Sequence, residues 1–399
     1  MTNQNTDPQN KLTEDIEPTR KDSFKILKKI LQKHKQHSYT PLIIVILSSL
    51  VFGFLALYFI PNKEKPMQAD QRIARQSFPD NLIGFFPETS FSISDDFSLP
   101  MALAAFSENE ILVGGLNVQG NQCRIILYSK DGKKQKETPL PAIPTDLLIP
   151  KEGELFLGNL LIAFSNNIGV YDREGNLLKT ISAPKKEDAF FTSLAADGEH
   201  LWVADALQSK IYRFDLHGQL NLTIEKEKTL DAEKKPFPGF GANNFYLGIS
   251  LDSQKNLWVA DAKNGRLVPF DKSGQWLSSQ IWGTHGSSSE NDLSDQFFGD
   301  NNPISLAFFQ DGRVLTIEKD VNRVKIFTPE HTFQSLAASP GFFYAPSYQS
   351  DGWFSEEKNK WNLDHENLPV PVLKASILSN NKVILLDQIN LKVHFFTEK

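Results

Sequence analysis

A phrase returns along this chain. Residues 191–218, FTSLAADGEHLWVADALQSKIYRFDLHG, run as an alternating apolar strand, a polar turn, a strand closing on an acid, a second turn and a third strand. Residues 244–274, NFYLGISLDSQKNLWVADAKNGRLVPFDKSG, repeat that order, and weaker copies occupy 303–330 and 372–397. A unit of so few strands cannot bury its own faces, so the copies must stack on one another. Stacking fixes an architecture and leaves the activity open.

Six units can be traced. Their innermost strands fall near 101–106, 154–158, 192–196, 245–250, 304–309 and 373–379, and their second strands near 110–115, 160–165, 200–205, 256–261, 313–318 and 382–387. Third strands follow at 123–128, 168–172, 210–215, 266–271, 323–327 and 392–396, with Asp-Gly turn signals at 131–132, 197–198 and 311–312. Units one to five continue into a fourth strand, as at 177–181 or 275–281, whereas the sixth lacks one. A spare apolar stretch at 91–94 precedes unit one. Radial four-stranded blades must close their ring, and the simplest closure lets that N-terminal strand complete the last blade. The expected fold class is all-β, a six-bladed β-propeller over 82–399.

Ahead of it, residues 41–60 (PLIIVILSSLVFGFLALYFI) carry no charge, enough apolar helix to cross roughly 30 Å of hydrocarbon. The expectation is a single transmembrane helix kept as a signal-anchor. A cleaved signal peptide is the rival; the length of the run and the lack of a small-residue cleavage site in LYFIPNKEKP stand against it. Arg20, Lys21, Lys25, Lys28, Lys29, Lys33 and Lys35 face only Asp22 across 20–37. That bias puts the N-terminus in the cytoplasm and the propeller outside, periplasmic or extracellular. The 1–40 tail reads as mostly disordered, with a basic juxtamembrane helix whose Phe24, Leu27, Ile30 and Leu31 suit an anionic lipid surface or a plain topogenic flank. Residues 61–81 read as a polar linker. The 61–399 segment holds 34 basic against 43 acidic residues, which speaks against nucleic acid as a partner. The lone Cys123 allows no internal disulfide and no cysteine-rich metal site.

The repeated phrase resembles NHL repeats, whose pattern runs proline, apolar strand, aspartate-glycine turn, a "V-A-D" strand and an "N-R-I" strand. The matching residues are Trp202-Val203-Ala204-Asp205, Trp258-Val259-Ala260-Asp261, and Asn322-Arg323-Val324 with Pro303 opening its unit. The stretch from Trp282-Gly283-Thr284-His285-Gly286 through Phe298 to Pro303 is similar to the family's glycine-rich connector. The resemblance is good in units three to five, fair in six and poor in one and two. It implies a six-bladed propeller acting as a binding platform; a minority of related propellers are metal-dependent lactonases or lyases.

If strands alternate direction, the second-to-third turns and the fourth-to-first connections share one face. That face receives Asp205, Asp261, Glu318 and Asp387, and insertions at 226–243, 283–302 and 339–371. A ring of acids can bind a cation through oxygen ligands; equally, each acid can accept hydrogen bonds from its own turn, and in NHL-like repeats this position is structural. A metal-dependent hydrolase or lyase needs convergent ligands, yet His200, His217, His285, His331, His365 and His394 show no paired spacing. His285 and His365 alone fall in insertions of the same face. No motif calls for a cofactor, and no G-x-S-x-G elbow, Walker loop or H-E-x-x-H is present. The insertions are rich in aromatics: Phe237 and Phe240, then Trp282 beside His285, then Phe342, Phe343, Tyr348, Trp353 and Trp361. They serve either as anchors for a protein or glycan ligand or as private cores of long loops.

Overall fold

The computed structural model describes residues 83–150, 158–241, 246–283, 297, 302–319, 323–339, 342–343, 374–388 and 390–399. The chain divides into two units, Met1–Asn62 and Lys63–Lys399, and every described residue lies in the second. The expected tail, membrane helix and linker lie outside the described residues. Among those described, no helix is long and apolar enough to cross a membrane.

The chain opens with β1, Phe85–Ser92. Blade 1 follows as β2 (Phe97–Ser107), β3 (Glu110–Asn117), β4 (Cys123–Tyr128) and β5 (Lys134–Leu140). Blade 2 is β6 (Asp146–Leu148), β7 (Leu160–Ala163), β8 (Asn167–Tyr171) and β9 (Leu177–Ser182). Blade 3 is β10 (Phe191–Ala196), β11 (Leu201–Asp205), β12 (Lys210–Phe214) and β13 (Leu220–Ile224). Blade 4 has β14 (Leu247–Leu251), β15 (Leu257–Asp261) and β16 (Arg266–Phe270). Blade 5 is β17 (Ser305–Phe308), β18 (Val314–Glu318), β19 (Arg323–Phe327) and β20 (Phe333–Ala338). Blade 6 holds β21 (Lys374–Ile377), β22 (Val383–Asp387) and β23 (Lys392–Glu398). The first strands neighbour one another in a closed ring, β2, β6, β10, β14, β17, β21 and back to β2. The all-β six-bladed propeller is therefore present.

Ring closure uses both ends of the described chain. β1 pairs antiparallel with β23, Phe91 opposite Val393 and Phe85 opposite Glu398, giving blade 6 the order β1-β23-β22-β21. The closing strand is longer than the apolar 91–94 stretch suggests, because a strand covering an edge needs backbone partners along its whole length.

The LWVAD strands show why the ring is rigid. All five residues of β11 and of β15 are buried, although strand residues alternate sides. Leu201 and Val203 join the core between blades 2 and 3, while Trp202 and Ala204 join that between blades 3 and 4. Leu257 and Val259 point back to blade 3, while Trp258 and Ala260 pack toward blade 5. Sandwiched on both faces, such strands read as unbroken apolar runs. Their one polar need is met locally: Trp202 Nε1 donates to Asp197 at 3.1 Å and Trp258 Nε1 to Asp252 at 3.0 Å. The aspartate of each first turn thus receives the indole N–H that burial would otherwise strand.

Two strand expectations are corrected. The innermost strand of blade 2 is Asp146–Leu148, antiparallel to β7, in place of 154–158. The short TDLLI run fills the innermost position, and residues 151–157 lie outside the described residues. Blade 4 is three-stranded: 275–281 forms no strand, and the stretch to Trp282 makes only isolated bridges, Phe270 and Asp231 with Trp276 and Leu267 with Trp282, around a short 3-10 turn at Ser278–Gln280.

Candidate functional site

Antiparallel order places the second hairpins and the fourth-to-first connections on one face, and four of those hairpins open on an acid–base pair. Asp205 stands opposite Lys210, Asp261 opposite Arg266, Glu318 opposite Arg323 and Asp387 opposite Lys392. All four acids are buried. Their oxygens point inward, to the chain itself. Asp205 Oδ1 accepts the backbone N–H of Phe190 at 3.0 Å and of Gln208 at 3.1 Å, and burial raises its carboxyl above the ordinary range. Asp261 accepts the Gly241 N–H at 2.9 Å, Asn264 Nδ2 at 2.7 Å and Arg266 Nε at 2.9 Å. Asp387 accepts the N–H of Asn390 at 3.0 Å and its Nδ2 at 2.7 Å. Asn390 Nδ2 in turn donates to the Phe343 carbonyl at 2.5 Å. Glu318 binds Arg323 Nε at 2.7 Å and Lys325 Nζ at 3.2 Å, with all three side chains fully buried.

The shared consequence is mechanical. Phe190, Gly241 and Phe343 all belong to connections arriving from the preceding blade. In blade 5 the incoming Asn302 accepts the Lys319 N–H at 2.8 Å, beside Glu318. Acid and hairpin together fasten the root of each incoming connection. Among the described residues, no group of three or more His, Cys, Asp or Glu side chains is placed to hold a metal ion.

The aromatic residues of the insertions divide. Phe237 is fully buried, with ring centroids 4.8 Å from Phe240, 5.3 Å from Phe270 and 5.4 Å from Trp276. It and Phe240 fill the core between blades 3 and 4, where Leu230 bridges Pro236 and Asp231 bridges Trp276 along the edge left by the missing fourth strand. Trp282 is buried too, stacked on His331 at 4.6 Å and 8° and edge-on to Phe327 at 4.5 Å. These three are internal supports, and their expected place on a ligand-facing rim is corrected: an aromatic ring gains more by filling an inter-blade gap than by standing in water. Phe342 and Phe343 do the same at the root of the largest insertion, Phe342 lying 4.7 Å from His394 and 5.0 Å from Phe396. His285, Tyr348, Trp353 and Trp361 lie outside the described residues.

What the sequence reading missed is at the centre of the same face. A small open pocket lies at the mouth of the central channel, lined by Thr192 and Ser193 of β10, Leu247 and Gly248 of β14, Ser305 of β17 and Lys374 of β21. A methyl on Gly248 would stand 2.8 Å from the Ile304 carbonyl, so this wall needs glycine to let neighbouring blades approach. Lys374 reaches across the channel, its Nζ 3.3 Å from Asp146 Oδ1 in blade 2 and 3.4 Å from the Thr192 carbonyl in blade 3. Asp146 and Lys374 are the charged residues of the six innermost strands, each first in its strand. That pattern was a usable signal, but it is hidden while the blade 2 strand is placed at 154–158.

No protein-family model matches the sequence. Human NHL repeat-containing protein 3 is 28% identical over 164 residues, 39% of this chain and 42% of that protein. The mouse protein of the same name is 26% identical over 160 residues, with the same coverage of 39% and 42%. This chain thus matches about two fifths of the length of those relatives. A solved structure of a protein of unknown function from Bacteroides thetaiotaomicron superposes with a TM-score of 0.53 and 11% identity, covering 79% of this chain and 76% of that one. That likeness concerns the fold.

Proposed function

We propose that this NHL-type propeller is a binding and scaffolding module, held to a membrane by the 41–60 span with its propeller on the outer side. The observation that carries the reading is the use of the insertion-rich face. Its four acids are turned into the fold: Asp205 and Asp261 hold the Phe190 and Gly241 N–H groups of incoming connections, while Glu318 and Asp387 are bound within their own hairpins. A face whose carboxylates hold its own loops in place is built to present those loops. A metal-dependent hydrolase or lyase would need such carboxylates turned outward as ligands, so that alternative draws no support from them.

The partner is a protein or a glycan, and the candidate anchors are Tyr348, Trp353 and Trp361 of the largest insertion and His285 of another, which lie outside the described residues. Aromatic side chains on a rim stack on sugars or fill pockets of a protein. Affinity capture with the full chain from membranes tests the reading. Alanine at Trp353 or Trp361 is expected to weaken partner binding by about 2 kcal/mol or more at unchanged melting temperature. Retained capture by both variants removes those anchors. Protease added outside intact cells should reach 61–399 and spare the tail; the opposite pattern reverses the topology, and a mature chain beginning near residue 61 replaces the anchor with a cleaved signal.

A further inference from the structure

The channel mouth carries one opposite-charge pair in an otherwise uncharged ring of first strands. The pair is poorly made. Charge-assisted hydrogen bonds from an ammonium to a carboxylate run at about 2.7–2.9 Å, and this protein makes such bonds elsewhere: Lys210 to Glu225 at 2.7 Å, Lys382 to Glu88 at 2.8 Å. Lys374 instead sits 3.3 Å from Asp146 and 3.4 Å from the Thr192 carbonyl, its only contacts among the described residues. Asp146 cannot swing closer, because its other oxygen is held by the Leu194 N–H at 2.8 Å. The Lys374 side chain is only 16% exposed, and its ammonium, with three donors to place, is incompletely bonded at the edge of the pocket. Ser305 lines the same pocket.

We propose that this pocket is a receptor for a small carboxylate, with Lys374 as the cation that receives it and Asp146 as the built-in competitor that occupies Lys374 when the ligand is absent. The chemistry follows from the competitor: the lysine already holds one carboxylate at a poor distance, and a free one can approach to hydrogen-bond length while the Ser305 hydroxyl donates to its second oxygen. A singly charged group is favoured over phosphate, because Asp146 stays nearby and repels a second negative charge. The site takes a slender acid, since the mouth is only as wide as one lysine spans between blades 6 and 2. It shares a face with the binding role proposed above but does not depend on it, because its test uses no partner.

The full-length protein is titrated calorimetrically with acetate and propionate, with inorganic phosphate as the comparison. Both acids should bind, and phosphate more weakly. Lys374→Met, which keeps the chain length and removes the charge, should abolish binding. Asp146→Asn keeps an acceptor for the Leu194 N–H and removes the competitor, so it should tighten binding about tenfold. Ser305→Ala, a mild change at a partly exposed position, should weaken it severalfold and keeps the test open if Asp146→Asn does not fold. Equal binding by the Lys374→Met variant, tighter binding of phosphate, no effect of Ser305→Ala, or no binding by parent and Asp146→Asn alike each overturns the proposal. Partner capture by Lys374→Met separates the two readings: capture kept while carboxylate binding is lost leaves the partner surface standing.

Discussion

Blades 3 to 6 and blades 1 to 2 solve the same problem differently. In the later blades a buried acid closes the second strand and a basic residue opens the third. At the matching positions the early blades have Leu116 opposite Cys123 and Ala163 opposite Ile168. The incoming connections differ in step. Blades 1 and 2 are reached by short links, 93–96 and 141–145, whereas the later four are reached through 183–190, 225–246, 271–304 and 339–373. A short link is fixed by its ends. A long one must be tied down, since ordering each free residue costs about 1–2 kcal/mol of conformational entropy. Blade 1 meets the need of its own hairpin with a neutral residue: Asn117 Oδ1 accepts the N–H of Asn121 at 3.0 Å and of Gln122 at 3.2 Å. The acid therefore tracks the longer incoming connections rather than the propeller.

Blade 5 gives the sharpest way to break that comparison. Glu318→Ala leaves Arg323 and Lys325 buried without their shared carboxylate, and removing one partner of a buried ion pair costs about 3–5 kcal/mol. Urea denaturation should show that loss, whereas Asn117→Ala in blade 1 should lose about 1 kcal/mol. Equal effects would mean that the acid is no special device of the later blades.

Asp261→Ala should rank next, at about 2–3 kcal/mol, since it orphans the Gly241 N–H and one guanidinium contact. Limited proteolysis sharpens the reading: cleavage in 226–246 should rise before the rest of the propeller opens. Uniform protection up to global unfolding would show that the acid is not what fastens the insertion.

The smallest effect is expected where blade 1 uses its own charges, on the outer surface. Lys130 binds Glu88 at 2.5 Å and Glu108 at 2.6 Å, and Lys382 binds the same two acids at 2.8 and 2.9 Å, joining blade 1 to the closing strand and to blade 6. The two lysines hold Glu88 and Glu108 down at about 2. Carboxyls depressed on folding add stability at pH values above their unfolded range, near 4.5, and lose it as pH falls toward 2. The side chains of Glu88 and Glu108 are 34% and 23% exposed, so solvent screening leaves about 1 kcal/mol for the network. Glu88→Gln should destabilise by that amount at pH 7, by nothing at pH 2, and by little at 1 M salt. Asp205 runs the other way: its carboxyl is raised by burial, so its contribution is present at low pH and shrinks as pH climbs through the folded value. Asp205→Asn should therefore flatten the acid side of the stability profile, and an unchanged profile would sink that assignment.

The second and third strands were legible to within a residue or two, because LWVAD-type runs are apolar on both faces and bounded by turn residues. The acids were legible as hairpin residues, and their alternatives, cation ring or turn support, were separable only by seeing which way the oxygens face. The destinations of Phe237, Phe240 and Trp282 were not legible. Sequence places them in insertions, but the gap they fill exists because blade 4 lacks a regular fourth strand.

The sequence by itself determined the repeat, the number of blades, the closure by an N-terminal strand and the face on which the insertions gather. Those follow from local periodicity and from the strict alternation of strand direction. Only the tertiary structure decided which aromatics are core and that Lys374 meets Asp146. The reason is separation: these two residues stand 228 positions apart, and only a closed ring brings the starts of blades 2 and 6, on either side of blade 1, within reach of one lysine.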